Sequence, residues 1–288
     1  MRALIYMLSM EVLGKAVPLP EFPVLKNRRG LGMTDDASYA SLLAEKFDYT
    51  NTFYHCDPFF DITKTHPDLY GTYDFIISSD VFEHIAPPVE RAMEEVCKLL
   101  KPEGALFLSV PSSIDEETIE HYPDLHQYAV VELNGNPIVI NRKKDGSFQV
   151  HENPVFHGGN GATLEMRLFA RKDLAKKLRN AGFAEVTFLD DPAERFGIAF
   201  DGPWTHPLIA RPPRTPVKDF GQLPPAFRVG YESLLQAHKD ASAEILRLRD
   251  RNDELEQKIA HLERTISVAA GSKWLRLGRR LGRGPKLN

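Results

Sequence analysis

Phe75, Ile76 and Ile77 form an unbroken apolar run that stops at Ser78-Ser79-Asp80. A short run without alternation is the pattern of a strand buried on both faces. Pro87 and Pro88 follow the polar stretch and predict a helix start, since a missing N–H costs nothing in the first turn. Val89, Ala92, Met93, Val96 and Leu99-Leu100 then recur at helical spacing and give that helix one apolar face. Lys101-Pro102-Glu103-Gly104 stops it, and Ala105 to Val110 reads as the next buried strand. Strand, helix and strand make a βαβ unit of a mostly parallel sheet. Ligands of such sheets bind at the carboxyl ends of strands, where Asp80, Glu83 and His84 fall.

The same patterning organises the rest of the chain. Arg2 to Leu13 predicts an amphipathic helix, followed by a Pro-rich stretch from Pro18 to Pro23. This start superficially resembles a signal peptide, but Ser9 and Glu11 interrupt its apolar run and no small-residue cleavage site follows. Lys172 to Leu189 predicts a helix and a strand around Ala181-Gly182-Phe183. Between lies a polar insertion, about 112–165. Within it, Ala129 to Leu133 and Pro137 to Asn141 alternate around Asn134-Gly135, a hairpin signal, and Asp145-Gly146 predicts a second turn. An insertion at this point lies at the carboxyl edge of the sheet, so a β-hairpin lid over the cleft is expected. His121, His126, His151 and His157 are scattered through it, the last beside Gly158-Gly159-Asn160-Gly161.

Beyond a Pro-rich linker, 211–227, a helix without Pro or Gly runs from about Tyr231 to Val268. Ile245, Asn252, Ile259 and Ile266 fall at heptad position a, and Ala241, Leu248, Leu255 and Leu262 at d. Ile at a with Leu at d favours a parallel two-stranded coil, and one Asn at a fixes register and dimer state. In a parallel dimer Glu244 faces Arg249, Arg251 faces Glu256 and Lys258 faces Glu263. Each pair contributes at most about 1 kcal/mol, so they choose orientation more than they stabilise. A parallel homodimer through 241–266 is expected. The bland alternative is a lone helix folded back on the domain, which has no need of this charge register.

Composition adds limits. The chain has 288 residues, 42% hydrophobic and 26% charged, with a net charge of −4, which carries no nucleic-acid bias. Lys273, Arg276, Arg279, Arg280, Arg283 and Lys286 crowd a basic tail, 271–288, where Trp274, Leu275, Leu277 and Leu281 interleave with them. Residues 273–286 suit either a solvated tail or contact with an anionic membrane surface. Two cysteines, Cys56 and Cys97, make no disulfide framework and fit a reducing, cytoplasmic compartment. No stretch reaches the roughly eighteen apolar residues of a membrane span.

The stretch from Tyr73 to Pro111 resembles the second half of class I S-adenosylmethionine (SAM)-dependent methyltransferases. The matching residues are Tyr73-Asp74-Phe75-Ile76-Ile77, Asp80-Val81-Phe82-Glu83-His84, Leu99-Leu100-Lys101-Pro102-Glu103-Gly104 and Val110-Pro111, with Glu103 where that family usually has Gly. The looser resemblance runs from about Arg29 to Ala210. It implies an α/β, Rossmann-like methyltransferase sheet over 1–210, to which the residue pattern adds the β-hairpin insertion and, after it, the coiled-coil helix over 228–270. The family's acidic residue and G-x-G-x-G loop after the first strand is absent before Tyr73. The resemblance aligns Phe22-Pro23-Val24-Leu25 with a remnant of the first strand and Arg29 to Asp35 with the second strand and its loop.

What the resemblance implies for a site follows residue by residue. Gly32 aligns nearest the position of the family's acidic residue at the cofactor ribose, with Asp35 or Asp36 as substitutes and Asp35 taken for the site. Asp61 would stand beside the adenine, and Ser79 and Asp80 near the methionine side. His84, His121 and His157 are the candidate bases, since imidazole titrates near neutral pH. Asp80, Glu83 and His84 also have the donor types to hold a divalent cation, although Glu-His pairs occur widely in this fold without metal, and no metal is the expectation. The expected function is methyl transfer to an oxygen or nitrogen of a small molecule or saccharide, in bacterial cell-surface glycan synthesis. Two rivals remain: a catalytically inactive scaffold of the same fold, and a metal-dependent hydrolase or binding module using Asp80, Glu83 and His84.

Overall fold

The computed structural model describes residues 1–157, 163–200, 202 and 206–214, with positions 236, 240, 244, 247, 251, 255, 258 and 259. The chain divides into two units, Met1–Thr215 and Pro216–Asn288. The first opens with α1 (Arg2–Leu13), β1 (Leu25–Met33), α2 (Ala37–Lys46), β2 (Phe47–Thr52), β3 (Tyr73–Ser79), α3 (Glu90–Leu99) and β4 (Leu100–Ser109). The insertion supplies β5 (Ser112–Ser113), β6 (Ile119–Glu120), β7 (Gln127–Leu133), β8 (Asn136–Arg142), β9 (Phe148–His151), β10 (Phe156–His157), β11 (Thr163–Leu164) and β12 (Arg167–Ala170). α4 (Arg171–Asn180), β13 (Glu185–Phe188) and β14 (Leu208–Arg211) close the unit.

The main sheet has the order β13-β14-β4-β3-β1-β2. β2, β1, β3 and β4 are parallel, while β14 runs antiparallel to both its neighbours. β3 and β4 bury Phe75, Ile76, Ile77 and Ala105 to Leu108, which is why they read as continuous apolar runs, and β1 adds Leu31 and Met33. α3 and α4 cover one face with Met93, Val96, Leu99, Leu174 and Leu178. α1 and α2 cover the other with Leu4, Leu8, Ala40 and Leu43. The two polar residues that interrupt the apolar run of α1 are both used. The Ser9 hydroxyl donates to the Lys15 carbonyl (2.7 Å) and accepts from the Val17 amide (2.9 Å). Glu11 takes two hydrogen bonds from the Arg211 guanidinium, at 2.9 and 2.6 Å, and so ties α1 to β14.

The structure corrects the reading of the first strand. Phe22 and Pro23 precede it, and Leu25–Met33 is a single strand lying between β2 and β3. The stretch aligned above with a second strand is therefore the first, and the second is Phe47–Thr52. α3 also starts later than the two prolines suggest, at Glu90 with Val89 at its N-cap, and it runs into β4 at Leu100 without a separate turn.

The expected hairpin forms. β7 and β8 pair antiparallel from Gln127↔Arg142 to Leu133↔Asn136. Asn134 (φ 51°) and Gly135 (φ 80°) turn between them, the two positive φ values a tight hairpin turn demands. Gly146 (φ 88°) makes the second turn into β9. Val139 points inward, packing with Tyr122, Leu125, Leu164 and Met166 in a small core of the insertion's own.

In the second unit every described position is helical, and Leu255 and Ile259 are exposed. Pairing of the proposed coil, the linker beyond residue 214 and the basic tail 271–288 lie outside the described residues. No described helix is long and apolar enough to cross a membrane.

Candidate active site

β1 has β2 on one side and β3 on the other, so the chain order reverses between β1 and β3. Open α/β sheets bind ligands in the crevice outside the carboxyl ends of the strands at such a point. Two loops border it here: 34–36 after β1 and 79–84 after β3.

The 34–36 loop stands where a Gly-rich loop would follow the first strand. Thr34 adopts a left-handed backbone (φ 60°). The Asn51 side chain spans the turn, accepting from the Asp35 amide (2.9 Å) and donating to the Asp35 carbonyl (2.8 Å). The Asp35 carboxylate turns inward, where it accepts from the Tyr39 hydroxyl (2.6 Å) and from the Tyr49 hydroxyl. Burial pushes its pKa up to about 6 against the opposing pull of those two hydrogen bonds. Any Cβ on Gly32 would collide with the Tyr49 ring and this carboxylate, so the glycine is required for the close approach. The structure thus places Asp35 beneath the loop, as its support.

The 79–84 loop carries most of the candidate residues. Asp80 is exposed with a left-handed backbone (φ 54°), its amide donating to the Ser109 carbonyl (2.9 Å). The Ser79 hydroxyl donates to Asp80 Oδ2 (2.9 Å) and lies 3.0 Å from the Ser109 hydroxyl. Phe82–His84 form one 3-10 turn. Glu83 is 0% exposed, and neither of its carboxylate oxygens has a hydrogen-bond partner. Burial, with the negative charges of Asp80 and Glu165 adding to it, pushes the Glu83 pKa up to about 8. His157, at the end of β10, brings Nδ1 within 3.2 Å of Glu83 Oε1, and His84 Nε2 lies 3.7 Å from the same oxygen. His84 Nδ1 donates to the Leu164 carbonyl (2.9 Å), and burial lowers the His84 pKa.

One residue invisible to the sequence reading holds this loop. Arg167 is fully buried, and its Nη1 donates to the carbonyls of Phe82 (2.8 Å) and Ile85 (2.7 Å). Its Nε donates to Glu120 Oε1 (2.8 Å). The Met166 amide donates to the Glu83 carbonyl (2.7 Å). The strand that closes the insertion therefore clamps the turn bearing Glu83 and His84. The only signal for this was a lone arginine between Met166 and Leu168-Phe169.

Of the residues expected at the site, the structure gathers His84 and His157 around Glu83, with Ser79 and Asp80 at the start of the same loop. His121 lies against Glu165 (3.2 Å), beside the clamp. Asp61 sits in the loop after β2, where its Oδ1 accepts from the Thr63 amide (2.9 Å) and hydroxyl (2.6 Å). Cys97 is packed in the helix, its thiol pushed up to about 11 by burial, while Cys56 is exposed.

Sheet order, switch point and loops define an α/β protein with a candidate ligand site at the carboxyl edge of a mostly parallel sheet. Residues 34–187 match a family described as a methyltransferase domain. The chain belongs to this family of SAM-dependent methyltransferases. No curated protein sequence matches it. Among solved structures it is similar to the 1,6-didemethyltoxoflavin-N1-methyltransferase of Burkholderia thailandensis, at 15% identity over 73% of this chain and 78% of that one, TM-score 0.41. It is also similar to the sugar N-methyltransferase KedS8 of a Streptoalloteichus species, at 14% identity over 64% and 80%, TM-score 0.37. A third is the CcbJ methyltransferase of Streptomyces caelestis, at 10% identity over 73% and 88%, TM-score 0.40. All three TM-scores lie below 0.5, so these likenesses carry no weight for the substrate.

Proposed function

We propose that the chain transfers a methyl group to an oxygen or nitrogen nucleophile held between the 79–84 loop and the insertion. The observation that carries this reading is the convergence of Glu83, His84 and His157 next to Asp80, at the switch point of a methyltransferase-family sheet. SAM, when bound, supplies the methyl as a sulfonium electrophile, the bond to sulfur breaking as the bond to the acceptor forms. Asp80 is free to meet a cationic amine, being exposed and already oriented by Ser79. Asp61 Oδ1 is taken up by Thr63, which leaves Oδ2 for a ligand amine or hydroxyl. Asp35 supports the loop from below. The Glu83, His84 and His157 group receives the acceptor and handles its proton, which makes this group the determinant of turnover.

A saccharide suits the acceptor side. Between the 86–88 segment and the hairpin lies a cleft of about 570 Å³ lined by Pro88, Asp124, His126, Tyr128, Lys143 and Asp145. It pairs an aromatic surface with several charged and polar groups, as a hydroxyl-rich ring with apolar faces requires. Bacterial cell-surface glycan synthesis is the setting we propose for it.

One observation favours a second reading, an inactive scaffold of the same fold. The 34–36 loop has no glycine, the Asp35 side chain is consumed internally, and Asp36 caps α2 through the Ser38 amide. Titration calorimetry of the full chain with SAM and S-adenosylhomocysteine separates the two. Micromolar binding supports the enzyme, and no heat from a folded sample supports the scaffold.

A further inference from the structure

We infer that Glu83, His84 and His157 form an open three-ligand site for one divalent transition-metal cation, of the zinc, iron(II) or manganese class. One ligand atom from each residue lies within 4.8 Å of the other two. A tetrahedral ion with ligands at ~2.05 Å holds them roughly 3.3 Å apart. The observed 3.2 Å (His157 Nδ1 to Glu83 Oε1) and 3.7 Å (His84 Nε2 to the same oxygen) bracket that value. Asp80, part of the set that the sequence suggested, is exposed and lies outside this group, and His157 from the insertion takes its place.

The ligand atoms have no other occupation. Both Glu83 oxygens and His157 Nδ1 are buried without a hydrogen-bond partner. A buried carboxylate left unpaired is costly, and folded proteins satisfy nearly all such groups with a partner, a water or an ion. His84 is oriented as a ligand imidazole usually is. Its Nδ1–H is spent on the Leu164 carbonyl, which leaves the Nε2 lone pair facing Glu83. The backbone under Glu83 and His84 is clamped by Arg167 and Met166, so the donors are held in place before any ion arrives. Two imidazoles and one carboxylate leave coordination positions open, the arrangement of a catalytic rather than a structural ion. Its use rests on the proposed methyl transfer. With the three side chains engaged as ligands, the ion would take over their proton-handling role: an acceptor hydroxyl at the open position would be acidified by the cation and lose its proton to solvent near neutral pH. Binding of the ion itself does not depend on that reading.

The test is metal uptake by the chelator-treated full chain, measured by equilibrium dialysis against Zn²⁺ and against Mn²⁺ with elemental analysis. Co²⁺ absorption reports coordination by imidazole. The expected result is one equivalent per chain, with affinity falling more than about 100-fold in both Glu83→Gln and His157→Ala, beyond the loss of an outer partner. His157 is 38% exposed at its side chain, so its replacement leaves the fold intact even if Glu83→Gln does not. Uptake below a tenth of an equivalent overturns the site, as does equal uptake by wild type and His157→Ala. SAM titration of the same samples keeps the two ideas apart. SAM binding with no metal uptake removes the ion and leaves the methyltransferase; uptake without SAM binding does the reverse.

Discussion

Arg167 and Asp35 are buried charged residues on opposite sides of the crevice, and they make opposite predictions. Arg167 donates to two carbonyls through Nη1 and to Glu120 through Nε, while its Nη2 is buried without a hydrogen-bond partner. Removing one partner of a buried charged network costs about 3–5 kcal/mol, because the remaining groups stay buried without donors. Arg167→Met should lower the unfolding free energy by about that amount in urea titration. Arg167→Lys should recover little of it, since a single ammonium does not reproduce a planar fork. A loss under about 1 kcal/mol would mean the clamp is not what holds the loop. Asp35 instead has its pKa raised by burial from 3.8 to about 6. The folded state therefore keeps a proton that the unfolded chain releases. The stabilisation is full below pH 3.8 and is lost as pH rises through about 6, a difference of about 3 kcal/mol. Asp35→Asn cannot ionise, so it should match wild type near pH 4 and exceed it in stability above pH 7. Parallel pH profiles for the two proteins would refute this.

At the scale of elements, the insertion is a separable part. β7 to β9 pack on Tyr122, Leu125 and Met166 through Val139, and they share no strand with the main sheet. Replacing 127–151 by a short turn should leave SAM affinity unchanged in calorimetry while abolishing transfer to a saccharide acceptor. A fall in SAM affinity would place part of the cofactor site on the insertion. β3, α3 and the hairpin were legible because their own residues carry the signal: Phe75 to Ile77, the face from Val89 to Leu99, and Asn134-Gly135. β1 was not, because Leu25–Met33 holds little apolar volume of its own. A Cβ at Gly30 would collide with the Phe75 and Tyr49 rings, so the neighbours fill the space that the strand leaves. The glycines lie within the strand, and the loop after it has none. The site shows the same division. Asp80, Glu83 and His84 lie on one turn and could be grouped from spacing alone. His157 reaches them only through the path of the insertion, and Arg167 only through tertiary contacts.

At the scale of the whole molecule, the second unit raises a question of assembly. Among its described positions, Gln236 donates to Asp240 (2.8 Å) and Arg247 lies 3.6 Å from Glu244. Exposed contacts of this kind contribute little to a helix by themselves. Leu255 and Ile259, at d and a of the heptad, are 45% and 55% exposed. An apolar seam left in water is unfavourable by roughly 25 cal/mol per Å², and a second copy is the partner whose seam matches in both spacing and charge register. We therefore expect the full chain to sediment as a dimer. Asn252 is the one polar residue at the a and d positions of 241–266, and a single Asn at a is the kind of residue that fixes register and dimer state. Asn252→Ile should raise the melting temperature of the coil and spread the species over dimers and higher oligomers. A monomeric wild type would leave the seam without its second copy, and a variant that keeps the wild-type dimer mass would mean that Asn252 does not choose the oligomer.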